Sequence, residues 1–333
     1  MSVTVTESVK HDDLNEKNDL NTLSKSREPD WVKVLFQIQL IISALCSIHF
    51  ILYDSQWKTI FFALVLIIFS HIGVAAGAHR LWAHQSYTAN PILRFFLMMC
   101  QTLSGTGSIY SWVQWHRLHH KYFKTDLDPF NPSKGWFFSH ILSNGLCLSP
   151  AQQKELEKLD MSDIETDKIV MWQKKYYVIL YLIVTLLLPI NAPAEYWGES
   201  LLTSTFILGW FRYFVSLHLS WLITSSSIIW GLKKGEKYPC DTNLVFIINK
   251  SNWLSYHYLA PWDYKTSEFG QYSNDFISKL IDVFQIMECA SNLKTIDSDT
   301  VRKALTNSVV QKRNITECLF ELCDYRTQKP KFY

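Results

Sequence analysis

Four long apolar stretches dominate the pattern of hydrophobic and polar positions along the chain. The first two, 34–53 and 60–78, contain no Asp, Glu, Lys or Arg, and the fourth is interrupted by Arg212 and His218. A helix needs about 20 apolar residues to cross a hydrocarbon layer, and a buried helix of a soluble bundle would normally keep a polar face. The pattern therefore predicts two transmembrane hairpins, with spans at about 34–53, 58–78, 174–190 and 201–224. An arginine at mid-bilayer is costly, so Arg212 must pair within the bundle or reach the interface.

The remaining residues are mainly polar. Residues 1–30 have almost no large apolar side chains, cannot build a core and are predicted to form a disordered tail. Residues 79–175 are mixed and polar, and their one apolar patch, 92–103, predicts a helix that is buried or rests on the membrane. Residues 231–333 are polar with short amphipathic stretches. Residues 311–333 are predicted to be a C-terminal tail. The expected fold class is an all-α membrane protein with four transmembrane helices and a helical cap that carries the histidine motifs described below.

Lysine and arginine are unevenly divided between the two sides of this arrangement. The two short connections within the hairpins hold only Lys58 between them, whereas the N-terminal flank, the segment 79–175 and the residues after the fourth span hold many. Positive residues favour the cytosolic side of a membrane. We therefore expect both termini and the polar cap to face the cytosol.

Composition excludes other classes of function. The net charge is +2 and the isoelectric point is about 8.1, which is too balanced for a nucleic-acid-binding surface, so no nucleic-acid partner is expected. The 7 cysteines include no C-x-x-C pair and form neither a disulfide framework nor a zinc motif. Scattered thiols of this kind fit a reducing compartment for the polar parts.

Histidine is concentrated in one part of the chain. Of the 11 histidines, five lie within 79–120, in the motifs H-R-L-W-A-H and H-R-L-H-H. The spacing H-x-x-H-H places three rings on one helical face, and neutral imidazole is a common ligand of iron, zinc and copper. His79 and His84 are five residues apart, about 140° on an ideal helix, so they can converge only at a helix end or a bulge. The pattern predicts a metal site where the second span meets the cytosol.

Longer motifs surround these histidines. The stretches AGAHRLWAH, WHRLHHKYFKTDLDPFN, FFSH, VMWQKKYY and PWDY resemble the membrane-bound acyl-CoA desaturases of animals, from about residue 31 to about residue 314. The resemblance implies a desaturase-like domain over 31–310 in the endoplasmic-reticulum membrane, with four spans and a di-iron centre. It also implies that O2 and electrons from cytochrome b5 are used to place a cis double bond in a long-chain fatty acyl-CoA. The acyl chain is expected in a narrow, kinked tunnel that fixes which carbon meets the metal.

The ligand pattern of that family is incomplete in this chain. The family has nine ligand histidines, and its third box reads W-H-N-x-H-H where this chain has W-L-S-Y-H-Y. Leu254, Tyr258 and Ile228 stand at ligand positions, and Thr224 replaces an asparagine that reaches iron through water. Six candidate metal ligands remain: His79, His84, His116, His119, His120 and His257.

Three functions are compatible with these departures. The first is a desaturase with a non-standard iron site, and the second is a pseudo-desaturase that binds acyl lipid or a partner without redox chemistry. The third is a one-metal enzyme with altered chemistry, such as hydroxylation. Gln114 and Trp115 also replace an Arg-Asp pair that the family carries near the CoA headgroup. Iron content separates the three functions: the desaturase requires two ions, the pseudo-desaturase none and the one-metal enzyme one.

Two glycosylation triplets test the predicted orientation. The triplet N-K-S at Asn249 and the triplet N-I-T at Asn314 both lie on the predicted cytosolic side, so neither asparagine should carry a glycan. We expect the electrophoretic mobility of the membrane-expressed protein to be unchanged by glycosidase treatment. A glycan at either asparagine would overturn the orientation.

Overall fold

The computed structural model describes residues 27–229, 257–258, 260–265, 276–313 and 315–323. This part of the chain is mainly helical, and its two short strands, β1 (Thr88–Ala89) and β2 (Ala290–Ser291), form an antiparallel pair with Thr88 opposite Ser291. The helices, in chain order, are α1 (Trp31–His49), α2 (Trp57–Ile72), α3 (Pro91–Ser104), α4 (Ile109–Lys121), α5 (Trp136–His140), α6 (Pro150–Glu157), α7 (Ser162–Glu165), α8 (Lys168–Leu180), α9 (Leu188–Trp197), α10 (Leu201–Ser204), α11 (Arg212–Ile229), α12 (Phe276–Ile286), α13 (Ser298–Gln311) and α14 (Ile315–Leu322). Short 3₁₀ turns lie at Pro132–Lys134 and Leu142–Gly145, and π-helical stretches lie at Phe50–Asp54, Gly73–Ala83, Tyr181–Leu187 and Thr205–Phe211.

Within the described residues, four helical segments are long and apolar enough to cross a membrane: Trp31–Asp54, Trp57–Ala83, Lys168–Trp197 and Leu201–Ser225. The predicted fold class, an all-α membrane protein with four spans, is confirmed. Each segment is longer than predicted, because the helices continue past their apolar stretches. The third differs most, since the pattern ends it at residue 190 whereas the helix continues through Pro193 to Trp197. It ends at Gly198, whose φ of 69° is the left-handed conformation common at a helix C-terminus.

Arg212 is fully buried in the fourth span. Its Nε donates to the carbonyl of Leu208 at 2.7 Å. Its Nη1 donates to the carbonyl of Leu103 at 3.2 Å, and its Nη2 to that of Thr185 at 2.6 Å. Leu103 lies at the end of α3, and the other two carbonyls lie in π-helical stretches, two settings that leave carbonyls available to an outside donor. The arginine therefore pairs within the bundle.

The two short connections meet at the end of the bundle away from the cap. The Glu199 carboxylate accepts hydrogen bonds from the Gln56 backbone N–H at 2.9 Å and from the Thr59 hydroxyl at 2.5 Å. The Trp197 indole N–H donates to the same hydroxyl at 2.9 Å. Glu199 and Thr59 are both buried. These bonds connect the two transmembrane hairpins.

Folded structure extends into both of the predicted tails. Arg27 donates to four backbone carbonyls at 2.6–3.0 Å, those of Pro129, Ser143, Leu146 and Cys147, and Pro29 forms a β-bridge with Leu146. At the other end, α14 packs on α13 and buries Cys318 and Leu319. The expected tails 1–30 and 311–333 therefore include folded residues. Local apolar spacing gives no sign of this, because the partners of Arg27 lie 102–120 positions away.

Replacing Arg212 by leucine should lower the free energy of unfolding by about 3 kcal/mol, because three buried carbonyls lose a charged donor. Thermal unfolding of the purified protein in detergent measures the effect. Arg212→Lys keeps the charge but cannot reach all three carbonyls, so its stability should lie between that of the parent and that of the leucine variant. A leucine variant as stable as the parent would show that these hydrogen bonds do not stabilise the bundle.

Candidate metal centre

The π-helical stretch Gly73–Ala83, at the end of the second span, brings the first two histidines together. The His84 backbone N–H donates to the His79 carbonyl at 3.1 Å, a bond across five residues as in a π-helix. The two rings therefore lie on one side, with centroids 4.7 Å apart. Convergence of this pair requires a helix end or a bulge, and the structure has both. A Cβ at Gly73 would lie 2.1 Å from the backbone nitrogen of Gln101 in α3, which explains a glycine there.

α4 supplies the next histidines. Its first residue, Ile109, donates its N–H to the side chain of Gln173 in α8 at 2.8 Å, which holds α4 against the third span. His116 and His120 then face the first pair. The Nε2 atoms of His84 and His116 lie 2.9 Å apart, and the ring centroids of His116 and His120 lie 4.7 Å apart.

His257 joins this group from the C-terminal part of the chain. Its Nε2 lies 3.1 Å from Nε2 of His79 and 3.1 Å from Nε2 of His120. The Pro-Trp-Asp-Tyr segment that follows is buried, and its Asp263 accepts a hydrogen bond from the Ile296 N–H at 3.0 Å. Four of the donor nitrogens lie within 4.8 Å of one another: those of His79, His84, His116 and His257.

His119 does not join this group, although α4 also carries His116 and His120. Its Nδ1 lies 2.7 Å from the Asp128 carboxylate and its Nε2 lies 2.7 Å from the Tyr258 hydroxyl. The structure thus brings together five of the six candidate ligands. The sixth, His119, is hydrogen-bonded to Tyr258, which stands where the family has a ligand histidine.

The other positions noted in the sequence have separate surroundings. The Thr224 hydroxyl donates to the carbonyl of Trp221 at 3.1 Å, within its own helix. Gln114 donates to the Leu156 carbonyl at 3.4 Å, while Trp115 lines the cavity described below. The side chain of Ile228 and the whole of Leu254 lie outside the described residues.

Burial keeps the histidine cluster uncharged. The pKa values of His84, His116 and His120 lie well below the ordinary value of histidine. Burial is the largest cause, and the neighbouring imidazoles are the next. Burial and then the Arg80 guanidinium lower the pKa of His257 to about 3. Neutral imidazoles keep a nitrogen lone pair, which is the form that binds a metal.

The donor set fits a transition-metal ion such as iron. Imidazole nitrogen binds such ions at roughly 2.1 Å, so two ligands at right angles lie roughly 3.0 Å apart. Three Nε2–Nε2 distances in the cluster, 2.9, 3.1 and 3.1 Å, match this separation. A neutral, all-nitrogen set suits iron, zinc or copper rather than magnesium or calcium.

A cavity of about 380 Å³ leads to this cluster. Its lining includes the exposed Lys33 and the buried His116. The Trp112 ring stacks on that of His116, with centroids 4.8 Å apart and planes inclined by 18°. Most of the exposed surface of the wall is apolar, and six further lining residues are aromatic or apolar: Phe36, Trp115, Phe130, Tyr213, Leu217 and Trp221. The cavity therefore gives an apolar chain a route to the histidines between the first and fourth spans.

Two neighbours of the cluster are not singled out by the sequence pattern. Asp128 holds His119, and Trp112 packs on His116. Trp112 stands four residues before His116 and so on the same helical face, a spacing that could have identified it. Asp128 lies in the D-x-D-P motif that follows the histidine box, and that motif is the only local signal for it.

No family model matches the sequence. Several curated proteins do, among them an acyl-CoA Delta-9 desaturase of Acheta domesticus, 38% identical over 288 residues that cover 84% of this chain and 80% of that protein. The chain belongs to the acyl-CoA desaturase family. An acyl-CoA Delta12-desaturase of the same organism is 37% identical over 277 residues, 82% of this chain and 77% of that protein. An acyl-CoA Delta(11) desaturase of Choristoneura rosaceana is 34% identical over 267 residues, 79% of each chain. Because these desaturases differ in the bond that their names specify, family membership does not assign a bond position here.

Proposed function

We propose that this chain is a fatty acyl-CoA desaturase-like oxidoreductase of lipid metabolism. It removes two hydrogens from neighbouring carbons of a long-chain acyl-CoA and leaves a cis double bond. O2 is the oxidant, and with two electrons and two protons it leaves as two water molecules. Similarity to named acyl-CoA desaturases supports the reaction class. The observation that carries the proposal is the apolar cavity that reaches His116, beside the converging imidazoles.

The cavity residues bind and orient the acyl chain. Phe36, Leu217 and Trp221 provide apolar wall, and each Å² of apolar surface that the chain buries there contributes about 25 cal/mol. Burial of the cluster excludes bulk water from the reacting carbons. Among the described residues that line the cavity, Lys33 is the cation, and it is exposed where the phosphates of a CoA headgroup would dock.

Iron is the proposed cofactor. The residues that would hold it are those whose nitrogens converge: His79, His84, His116, His120 and His257. When bound, iron supplies the O2 and one-electron chemistry that side chains do not provide. The family resemblance implies two irons.

Cytochrome b5 is the proposed electron donor, and the endoplasmic-reticulum membrane is the proposed location. The uneven distribution of lysine and arginine supports an orientation with both termini and the cap in the cytosol, where the electron donor would dock. Membrane lipid would cover the exposed apolar faces of the spans, which include Ile42, Leu64 and Leu182.

Expression in a desaturase-deficient host tests the proposal, with cellular fatty acids analysed by gas chromatography and mass spectrometry. The parent should yield a new cis-monounsaturated fatty acid. His116→Ala should lower its yield more than about tenfold, because it removes a donor that also lines the cavity. His49→Ala is the matched control and should have no effect, because its side chain is 66% exposed at the far end of the first span.

Two other outcomes would contradict the proposal. A parent that retains acyl lipid but forms no unsaturated product would favour the pseudo-desaturase. A hydroxylated fatty acid would favour altered oxidative chemistry at the same site.

A further inference from the structure

His119 makes contacts of a different kind from those of the other five histidines. Its Nδ1–H donates to the Asp128 carboxylate at 2.7 Å, and its Nε2 accepts a hydrogen bond from the Tyr258 hydroxyl at 2.7 Å. The side chains of His119 and Asp128 are both 0% exposed. A carboxylate only accepts, so the protons are ordered from Tyr258 to His119 and from His119 to Asp128. Both ring nitrogens of His119 are therefore engaged.

Contacts at both ends hold this hydrogen-bonded chain in place. Asp128 also accepts from the Phe130 backbone N–H at 2.8 Å, which fixes the carboxylate. The Tyr258 ring stacks on Phe123, with centroids 3.6 Å apart and planes inclined by 13°. His119 cannot turn toward the other histidines without losing both of its partners. Its nitrogen lone pair is directed at Tyr258.

The other five histidines form one cluster, in which the donor nitrogens of His79, His84, His116 and His257 lie within 4.8 Å of one another and Nε2 of His120 lies 3.1 Å from that of His257. Their Nε2 atoms make the three contacts near 3 Å described above, and ring centroids lie 4.6 Å apart for His84 and His120 and 4.8 Å apart for His120 and His257. The Nε2–Nε2 separations near 3 Å are those expected of two ligands at right angles on one ion. These imidazole nitrogens would hold a single transition-metal ion.

We propose that its hydrogen bonds to Asp128 and Tyr258 keep His119 out of metal binding, so that the centre holds one ion, bound by His79, His84, His116, His120 and His257. The chain Asp128–His119–Tyr258 then stands where the family pattern leads one to expect a second ion. The six candidate ligands named from the sequence are thereby reduced to five, because His119 is excluded. The identity of the ion as iron rests on the proposed function, but the number of ions and the role of His119 do not.

Metal content of the full-length protein tests this inference. The protein is purified in detergent, stripped of metal, loaded anaerobically with Fe(II) alone and analysed by inductively coupled plasma mass spectrometry. The parent, His119→Ala and Tyr258→Phe should each hold about one ion per chain, and His116→Ala should lose most of it. Should His119→Ala fail to fold, His119→Gln removes the imidazole but keeps a side-chain amide that can donate to Asp128, and it carries the same test. Tyr258→Phe removes one of the two hydrogen bonds and keeps the stacked ring; because Asp128 still holds His119, its ion count should not rise.

Three outcomes would overturn the inference. The first is about two ions in the parent and about one in His119→Ala. The second is a parent that binds no iron. The third is a tyrosinate-to-iron charge-transfer band in the parent that disappears in Tyr258→Phe, because Tyr258 would then itself be a ligand. One bound ion without any unsaturated product would contradict the proposed function alone.

Discussion

The convergence of uncharged imidazoles in a largely buried cluster is the constraint on which the rest of the structure depends. Three separate parts of the chain must deliver nitrogen atoms to within about 3 Å of one another, and none of the rings is stabilised there by charge. Each part is fixed by a local feature. The π-helical end of the second span positions His79 and His84, and the bond from the first residue of α4 to Gln173 positions that helix. The anchored Pro-Trp-Asp-Tyr segment fixes the C-terminal part. An ion bound at this point would draw on all three parts at once, which links metal binding to the folding of the cap.

The membrane helices are locally distorted. Each of the four spans includes a π-helical stretch, and such stretches are rare and often lie at functional sites. The distortions free backbone carbonyls inside the hydrocarbon layer, where an unpaired polar group is costly. Arg212 satisfies carbonyls from two of these stretches, and Glu199 connects the hairpins at the opposite end. The bundle is thereby fixed around the cavity that leads to the histidines.

Much of this could be predicted from the sequence, because it depends on local periodicity. Apolar run length predicts the four spans, and the five-residue spacing of His79 and His84 predicts a bulge or a helix end. The position of His119 could not be predicted in this way. Its spacing from His116 and His120 suggests a shared role, but its ring direction is set by Asp128 nine positions away and Tyr258 139 positions away. The extent of the folded ends was missed for the same reason, since the contacts of Arg27 are long-range.

X-ray absorption spectroscopy of the iron-loaded, full-length protein tests the central claim most directly, because it reports the atoms around the metal without requiring turnover. The geometry predicts a shell of nitrogen neighbours at roughly 2.1 Å, with the outer-shell scattering of several imidazole rings. A spectrum of oxygen neighbours without imidazole scattering would contradict the claim, because it would place the iron away from the converging histidines.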